Sequence, residues 1–353
     1  MKQIFEQIKI GKLNIDNRIV RSATMEFGTT ENGNITDKYI KLYEELAKGG
    51  SGLIITGAMA VNCDSQVKKD MINIYNENFI NSFSKVTNAV HSFKSKIVPQ
   101  LAHGGLISIE SYSGKRFGPS NIIGGKEMSK GDINRVIMDF SKAAEKCKQA
   151  GADGIEIHAA HGFLISQFLS PAFNKRQDEY GGSIKYRSRI LFEIINSIKS
   201  KVGYDFPILI KLNYSDLTEN GLSLEDSKWV CSTLDNINID AIEISSGIIS
   251  DKTYSPAQLV PNKYAEAYNE KAASIISDYI NTPIICVGGN RTFSSMEQSL
   301  NSTNIKAFSI CRPLICEPDL PEKWRKDNSY IPKCISCNSC FKSYLLKCSL
   351  SNL

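Results

Sequence analysis

Short apolar runs recur along the chain at near-regular intervals, and each is followed by a stretch with apolar residues at helical spacing. The runs at 18–24, 52–57, 97–103, 154–159, 208–212, 241–245, 284–288 and 307–311 predict eight strands. Helices are expected between them at 37–49, 78–95, 129–150, 185–202, 224–236 and 263–279. Several end in glycine, as at Lys48-Gly-Gly50 and Gln149-Ala-Gly151, which suits a C-cap before the next strand.

Strands that are apolar on both faces and separated by helices imply a parallel sheet. Eight of them in 353 residues favour closure into a (β/α)₈ TIM barrel over an open doubly wound sheet. No Gly-x-Gly-x-x-Gly follows the first strand, which argues against an N-terminal dinucleotide fold. Residues 4–19 read as a hairpin turning at Gly11-Lys12, placed to cap the N-terminal mouth of the barrel. The barrel is expected over 1–325 and a Cys-rich tail over 326–353.

Hydrophobic content of 42% and charged content of 22% are ordinary for a globular enzyme. The net charge of +5 has no basic run behind it, so no nucleic-acid footprint is expected. The N-terminus has no apolar signal core, and the most apolar stretch, 52–61, is too short to span a bilayer. A cytoplasmic enzyme without a membrane partner is the expectation.

Chemistry concentrates in Ile155-Glu-Ile-His-Ala-Ala-His-Gly-Phe163, which holds two of the four histidines where a β-branched run ends. Imidazoles there can donate two converging N–H groups to a substrate oxygen. The alternatives are a metal pair, for which no supporting Cys or carboxylate spacing exists, and satisfied core histidines. After the pair, Pro171, Asn174, Arg176 and Gly181-Gly182 describe an ordered loop. Of ten cysteines, Cys63, Cys147, Cys231, Cys286, Cys311 and Cys316 are scattered in mostly apolar contexts, the usual setting of inert buried thiols. Cys334, Cys337, Cys340 and Cys348 crowd the C-terminus as a ligand set for a [4Fe–4S] cluster or zinc, or as an unmetallated relic.

Several motifs in order resemble the Old Yellow Enzyme-type NADH:flavin oxidoreductases, and especially their dienoyl-CoA reductase branch. They are Asn17-Arg-Ile-Val-Arg-Ser-Ala-Thr24, Pro99-Gln-Leu-Ala-His-Gly-Gly105, the histidine segment, and Arg312-Pro-Leu-Ile-Cys-Glu-Pro-Asp-Leu-Pro321. The resemblance runs from Ile4 to Trp324. It implies an FMN barrel that passes hydride from NADH or NADPH to an electron-poor alkene or carbonyl compound. It assigns Lys211 to the flavin N1 locus, Gln100 to the pyrimidine edge, and the Thr24 hydroxyl to the vicinity of flavin O4. Ser22, Ala23, Gly57 and Ala58 would contribute mainly backbone groups. Gly288, Gly289, Cys311 and Arg312 would bind the phosphate. His158 and His161 match the substrate-activating pair.

The likeness departs at Phe163, where the family commonly has a proton-donating Tyr. Tyr112, Tyr254 or water would then supply the proton, or the activity is one that needs no such donor, such as a flavin-linked NADH oxidase. Glu26 stands where an aromatic substrate contact is usual; it reads as a solvated loop residue, or as a carboxylate that orients substrate. Cys334-x₂-Cys-x₂-Cys-x₇-Cys348 has one residue fewer than the branch between its second and third Cys. If it binds a cluster, the chain would serve as an electron-transfer subunit with a redox partner protein. Homo-oligomers are common in the family.

Overall fold

The computed structural model describes residues 1–26, 29–30, 34–109, 116–248, 265–342 and 348. It begins with a hairpin of β1 (Ile8–Ile10) and β2 (Leu13–Ile15), in which Ile8 faces Ile15 and Ile10 faces Leu13. Gly11 turns the chain at φ +56, and a Cβ there would lie 2.4 Å from the Asp240 Cβ. Glycine satisfies both demands.

Eight strands then close a barrel: β3 (Ile19–Arg21), β4 (Leu53–Ala60), β5 (Lys96–Ala102), β8 (Ile155–Ala159), β9 (Ile208–Asn213), β10 (Ala241–Ser245), β11 (Ile284–Val287) and β12 (Ala307–Ile310). They neighbour one another in that order, and β12 pairs back onto β3. A small parallel pair, β6 (Phe117–Gly118) and β7 (Lys126–Glu127), stands outside it. All eight expected strands form, although the first is shorter than its apolar run. The expected helix over 185–202 divides at Ser188 into Ile184–Arg187 and Arg189–Val202, and that over 263–279 covers only Glu270–Ser277. A six-residue helix, Leu164–Leu169, follows the histidine pair and has no counterpart in the sequence pattern.

Alternation along each strand sorts the residues. Outward positions such as Ile54, Ile97, Ile157, Ile210, Ile242 and Ile310 meet the helices. Inward positions nearest the hairpin are Val20, Leu53, Ile55, Val98, Leu209, Ala241, Ile285 and Ala307, and they pack on Ile10, Leu13 and Ile15. One mouth of the barrel is thus sealed by apolar contact, and the polar inward positions lie beyond this layer. The loop after the histidines is held by Arg176, which donates to Pro119 O, Met128 O and Asp178, and by Asn174, which donates to Phe168 O and Tyr180 O. Trp324 Nε1 donates to Tyr330 O, and Lys333 N donates to Glu317 Oε2, so the segment after the last barrel helix (Leu320–Lys326) lies against the barrel. Among the described residues no helix is long and apolar enough to cross a membrane.

Asp240 ties the hairpin to the barrel, because its carboxylate accepts from Lys12 N, Lys12 Nζ and Ile208 N. Asp240→Ala strands buried donors and should destabilise the fold by about 2–4 kcal/mol, measured as a lower urea midpoint with an unchanged m-value.

Candidate functional site

Above the apolar layer the inward positions turn polar and charged. Ser22 follows β3, Gln100 lies on β5, Glu156 and His158 on β8, Lys211 and Asn213 on β9, and Glu243 and Ser245 on β10. Lys211 Nζ is 2.7 Å from Glu243 Oε2 and donates to Ser22 Oγ at 2.9 Å. Ser22 Oγ in turn donates to Glu243 Oε1 at 2.9 Å, and Gln100 Nε2 donates to Glu156 Oε1 at 2.6 Å. Burial alone would lower the Lys211 pKa, but the carboxylates of Glu243 and Glu156 outweigh it and hold the pKa above the ordinary value. The Ser22 hydroxyl thus bridges Lys211 and Glu243.

His158 projects inward from β8, and His161 follows in a left-handed turn at φ +60, completed by Gly162 at φ +78. Non-glycine residues seldom adopt this conformation, and here it brings the second ring back beside the first. The rings are 5.3 Å apart and nearly perpendicular, and His161 Nε2 is 2.7 Å from Ser245 Oγ. Burial first, and the nearby Lys211 charge second, press both pKa values well below the ordinary histidine range. Both imidazoles are neutral at pH 7, so each offers one N–H, and His158 Nδ1 has no hydrogen-bond partner among the described residues. Phe163 packs on His158 with ring centroids 4.3 Å apart and joins Ala60, Met71 and Ala102 in an apolar wall. Tyr112 and Tyr254 lie outside the described residues.

Beside this wall, Thr24 Oγ1 donates to Ser22 O at 3.0 Å and lies 3.1 Å from Cys311 Sγ. Cys311 is half-buried and Cys63 is exposed, so these two depart from the expected inert buried thiols. Glu26 is not a solvated loop residue. Its side chain is 5% exposed, Arg21 Nη2 is 2.9 Å from Oε1, and Tyr43 donates to Oε2 at 3.0 Å. The Tyr43 hydroxyl also accepts from Gly57 N, and a Cβ on Gly57 would come within 2.2 Å of Thr24 O. The two-residue interval from Thr24 to Glu26 does not reveal this pairing, since Tyr43 comes from a helix (Asp37–Lys48) remote in sequence.

After β11, Gly288 and Gly289 have φ values of +137 and +77. Arg312 opens a short helix (Arg312–Cys316) at the end of β12, and its Nη1 donates to Ser336 O (3.2 Å) and Asn338 Oδ1 (2.8 Å). The cysteine segment therefore docks on the arginine assigned to phosphate, a contact the sequence did not announce. Ala23 follows β3 and packs on the hairpin layer, while Ala58 lies within β4 against the Phe163 wall.

A profile of the NADH:flavin oxidoreductase / NADH oxidase family matches residues 3–329. The chain belongs to this family. It is 32% identical to an NADH oxidase from Thermoanaerobacter brockii over 99% of this chain and 56% of that protein. It is 36% identical to an NADPH dehydrogenase of Bacillus subtilis over 77% of this chain and 81% of that protein. Among solved structures, a 2-naphthoyl-CoA reductase complex superposes with a TM-score of 0.90 at 25% identity, covering 99% of this chain and 57% of that one. An Old Yellow Enzyme homologue from Zymomonas mobilis superposes with a TM-score of 0.80 at 21% identity over 99% of this chain and 98% of that one. The chain spans about half the length of several curated relatives it matches, 56% and 51% for two of them.

Lys211 and Gln100 lie on inward strand positions, Phe163 lines one side of His158, and Gly288, Gly289 and Arg312 follow β11 and β12. The tail thiols behave differently. Burial, followed by the neighbouring thiols of Cys311, Cys334 and Cys348, pushes Cys340 up to about 12. Cys316 is likewise up at about 12, first from burial and then from its contact with Cys348, while Cys337 turns to Ser339 Oγ at 3.3 Å. Among the described residues no three His, Cys, Asp or Glu side chains converge to hold a metal ion.

Removing one partner of a buried ion pair leaves a desolvated charge behind. Glu26→Ala strands Arg21 and should cost about 3–5 kcal/mol, read from chemical denaturation, and Glu26→Gln should recover part of this loss through Tyr43.

Proposed function

We propose that this chain is an FMN-dependent oxidoreductase that takes hydride from NADH or NADPH and delivers it to an alkene conjugated to a carbonyl group. The observation that carries this reading is the pair of neutral imidazoles, His158 and His161, held perpendicular at 5.3 Å beside the Lys211 charge. When bound, FMN would supply two-electron hydride chemistry. Lys211 and Gln100 would meet its pyrimidine edge, Thr24 and the backbone of Ala23, Gly57 and Ala58 its other contacts, and Gly288, Gly289, Cys311 and Arg312 its phosphate.

His158 and His161 then have a defined task. In the tautomer where Ser245 Oγ donates to His161 Nε2, the proton of that ring sits on Nδ1 and can face a substrate oxygen. Two neutral N–H donors polarise a carbonyl without spending a proton on it, and this makes the conjugated β-carbon electron-poor. Phe163 and its apolar neighbours exclude water from that side. A cinnamate reductase from Clostridium sporogenes, 30% identical over 95% of this chain and 55% of that protein, is consistent with an enoate or enoyl substrate.

A second reading, a flavin-linked NADH oxidase or another activity that needs no Tyr donor, is favoured by Phe163, whose ring has no proton to give. A third reading, electron transfer through a tail cluster, draws on the grouping of Cys340 with the thiols of Cys311, Cys334 and Cys348. Iron content and cluster-band absorbance of anaerobically purified protein test it: one cluster per chain supports this reading, and iron near zero overturns it.

Anaerobic stopped-flow decides the main question. The flavin-loaded chain should bleach with NADH or NADPH and recover on adding enones or enoates faster than with oxygen alone. Recovery with oxygen alone would favour the oxidase. His158→Ala/His161→Ala should weaken a phenolic ligand by at least about tenfold, roughly one to two hydrogen bonds, while FMN stays bound. Unchanged affinity and charge-transfer absorbance would rule out the donor role.

A further inference from the structure

Glu156 and Glu243 are fully buried carboxyls inside the barrel, and neither belongs to the substrate pair or to the groups assigned to FMN. They project inward from β8 and β10 on either side of Lys211 on β9. Gln100 donates to Glu156 Oε1, Ser22 donates to Glu243 Oε1, and Lys211 lies on Glu243 Oε2 and donates to Ser22 Oγ. As a carboxylate, Glu156 would leave Oε2 buried with no donor among the described residues. Two acids against one lysine would also put a net negative charge in a dry interior. A single proton held between the acids removes both costs.

We infer that Glu156 and Glu243 form one acid pair that carries a single proton and fixes the charge beneath the cofactor chamber, acting as positioning residues through Lys211. The inference rests on the function proposed above. With the proton in place the cluster is neutral, Lys211 opposes only one carboxylate, and its field reaches the ring above. When the proton leaves to solvent, the cluster gains one negative charge and that field weakens.

The charged and titratable surroundings are few. Ser22 comes from β3, Gln100 from β5, His158 from β8 and Lys211 from β9, with Cys311 at the end of β12 and the Cys286 thiol of β11 within the field of Glu243. Burial first, and Glu243 second, raise Glu156 to about 8, so the pair should keep its proton at neutral pH and lose it in mild alkali. Folded Glu156 binds a proton that the unfolded chain releases near the ordinary Glu value, so its contribution to stability falls as pH rises toward 8 and is flat above it.

Infrared difference spectra of the full chain, flavin-free and again with FMN restored, test this directly. Wild type minus Glu156→Gln, and wild type minus Glu243→Gln, should each show the same single protonated-acid carbonyl band. The band should halve near pH 8 and be gone by about pH 10, two units above the midpoint. Removing either acid leaves the other as the ionised partner of Lys211, so both variants lose it. A band that survives in Glu243→Gln, or none in wild type, overturns the pair. If a variant does not fold, the pH difference spectrum of wild type alone still reads the band and its midpoint, and its absence overturns the pair.

In the loaded chain the flavin midpoint potential should fall more steeply above pH 8 in wild type than in Glu156→Gln. Equal slopes, with the band behaving as expected, overturn the charge-fixing role. Failure to take up FMN at all would overturn the proposed function and leave the infrared result standing.

Discussion

The ion pair between Lys211 and Glu243, 2.7 Å apart and buried inside the barrel, is the constraint on which the site depends. A lysine in that interior is sustained only by opposing carboxylates, and a second carboxylate is tolerated only if a proton neutralises it. Lys211 then does two things at once. It supplies the positive charge at one edge of the chamber, and it adds to burial in keeping His158 and His161 neutral, by repelling a second positive charge. The donor character of the histidine pair thus follows in part from the same charge that suits an electron-accepting ring.

The apolar layer beneath makes this economy of charge possible. Ile10, Leu13 and Ile15 close the mouth against the inward residues of the strands, so water cannot reach the cluster from below. The side of His158 is walled by Phe163, Met71 and Ala102. Between these seals Lys211, Ser22 and Glu243 bond to one another, and Gln100 bonds to Glu156. The Arg21–Glu26–Tyr43 set repeats the principle at the chamber's flank, where a buried carboxylate holds the backbone around Gly57.

Much of the fold is legible because strand alternation and helical spacing are local patterns. Ile155-Glu-Ile-His and Ala241-Ile-Glu-Ile-Ser each announce a strand with polar inward positions. Lys211, Gln100 and the histidines stand out because their residue types are unusual on apolar strands. Glu156 and Glu243 carry the same signal, but a lone carboxylate on a strand says nothing of its partner. Glu26 departs from its expected solvated setting for a related reason: its partners Arg21 and Tyr43 come from a strand and a helix, and the spacing of the three along the chain does not reveal that they meet. The dividing of the helix at Ser188 and the extra turn at Leu164–Leu169 reflect tertiary packing overriding a weak local pattern.

By itself the sequence determined the eight-stranded barrel, the hairpin seal, the family resemblance and the positions of the histidine pair, because each is written in short-range periodicity or in a contiguous motif. Only the tertiary structure decided the charge state of the site. Coulomb interactions and desolvation depend on distance through space, and closing the barrel brings Ser22, Gln100, Glu156, Lys211 and Glu243 together from five strands spread over more than two hundred residues. It also laid the cysteine segment on Arg312, a contact between side chain and folded tail that no linear spacing encodes.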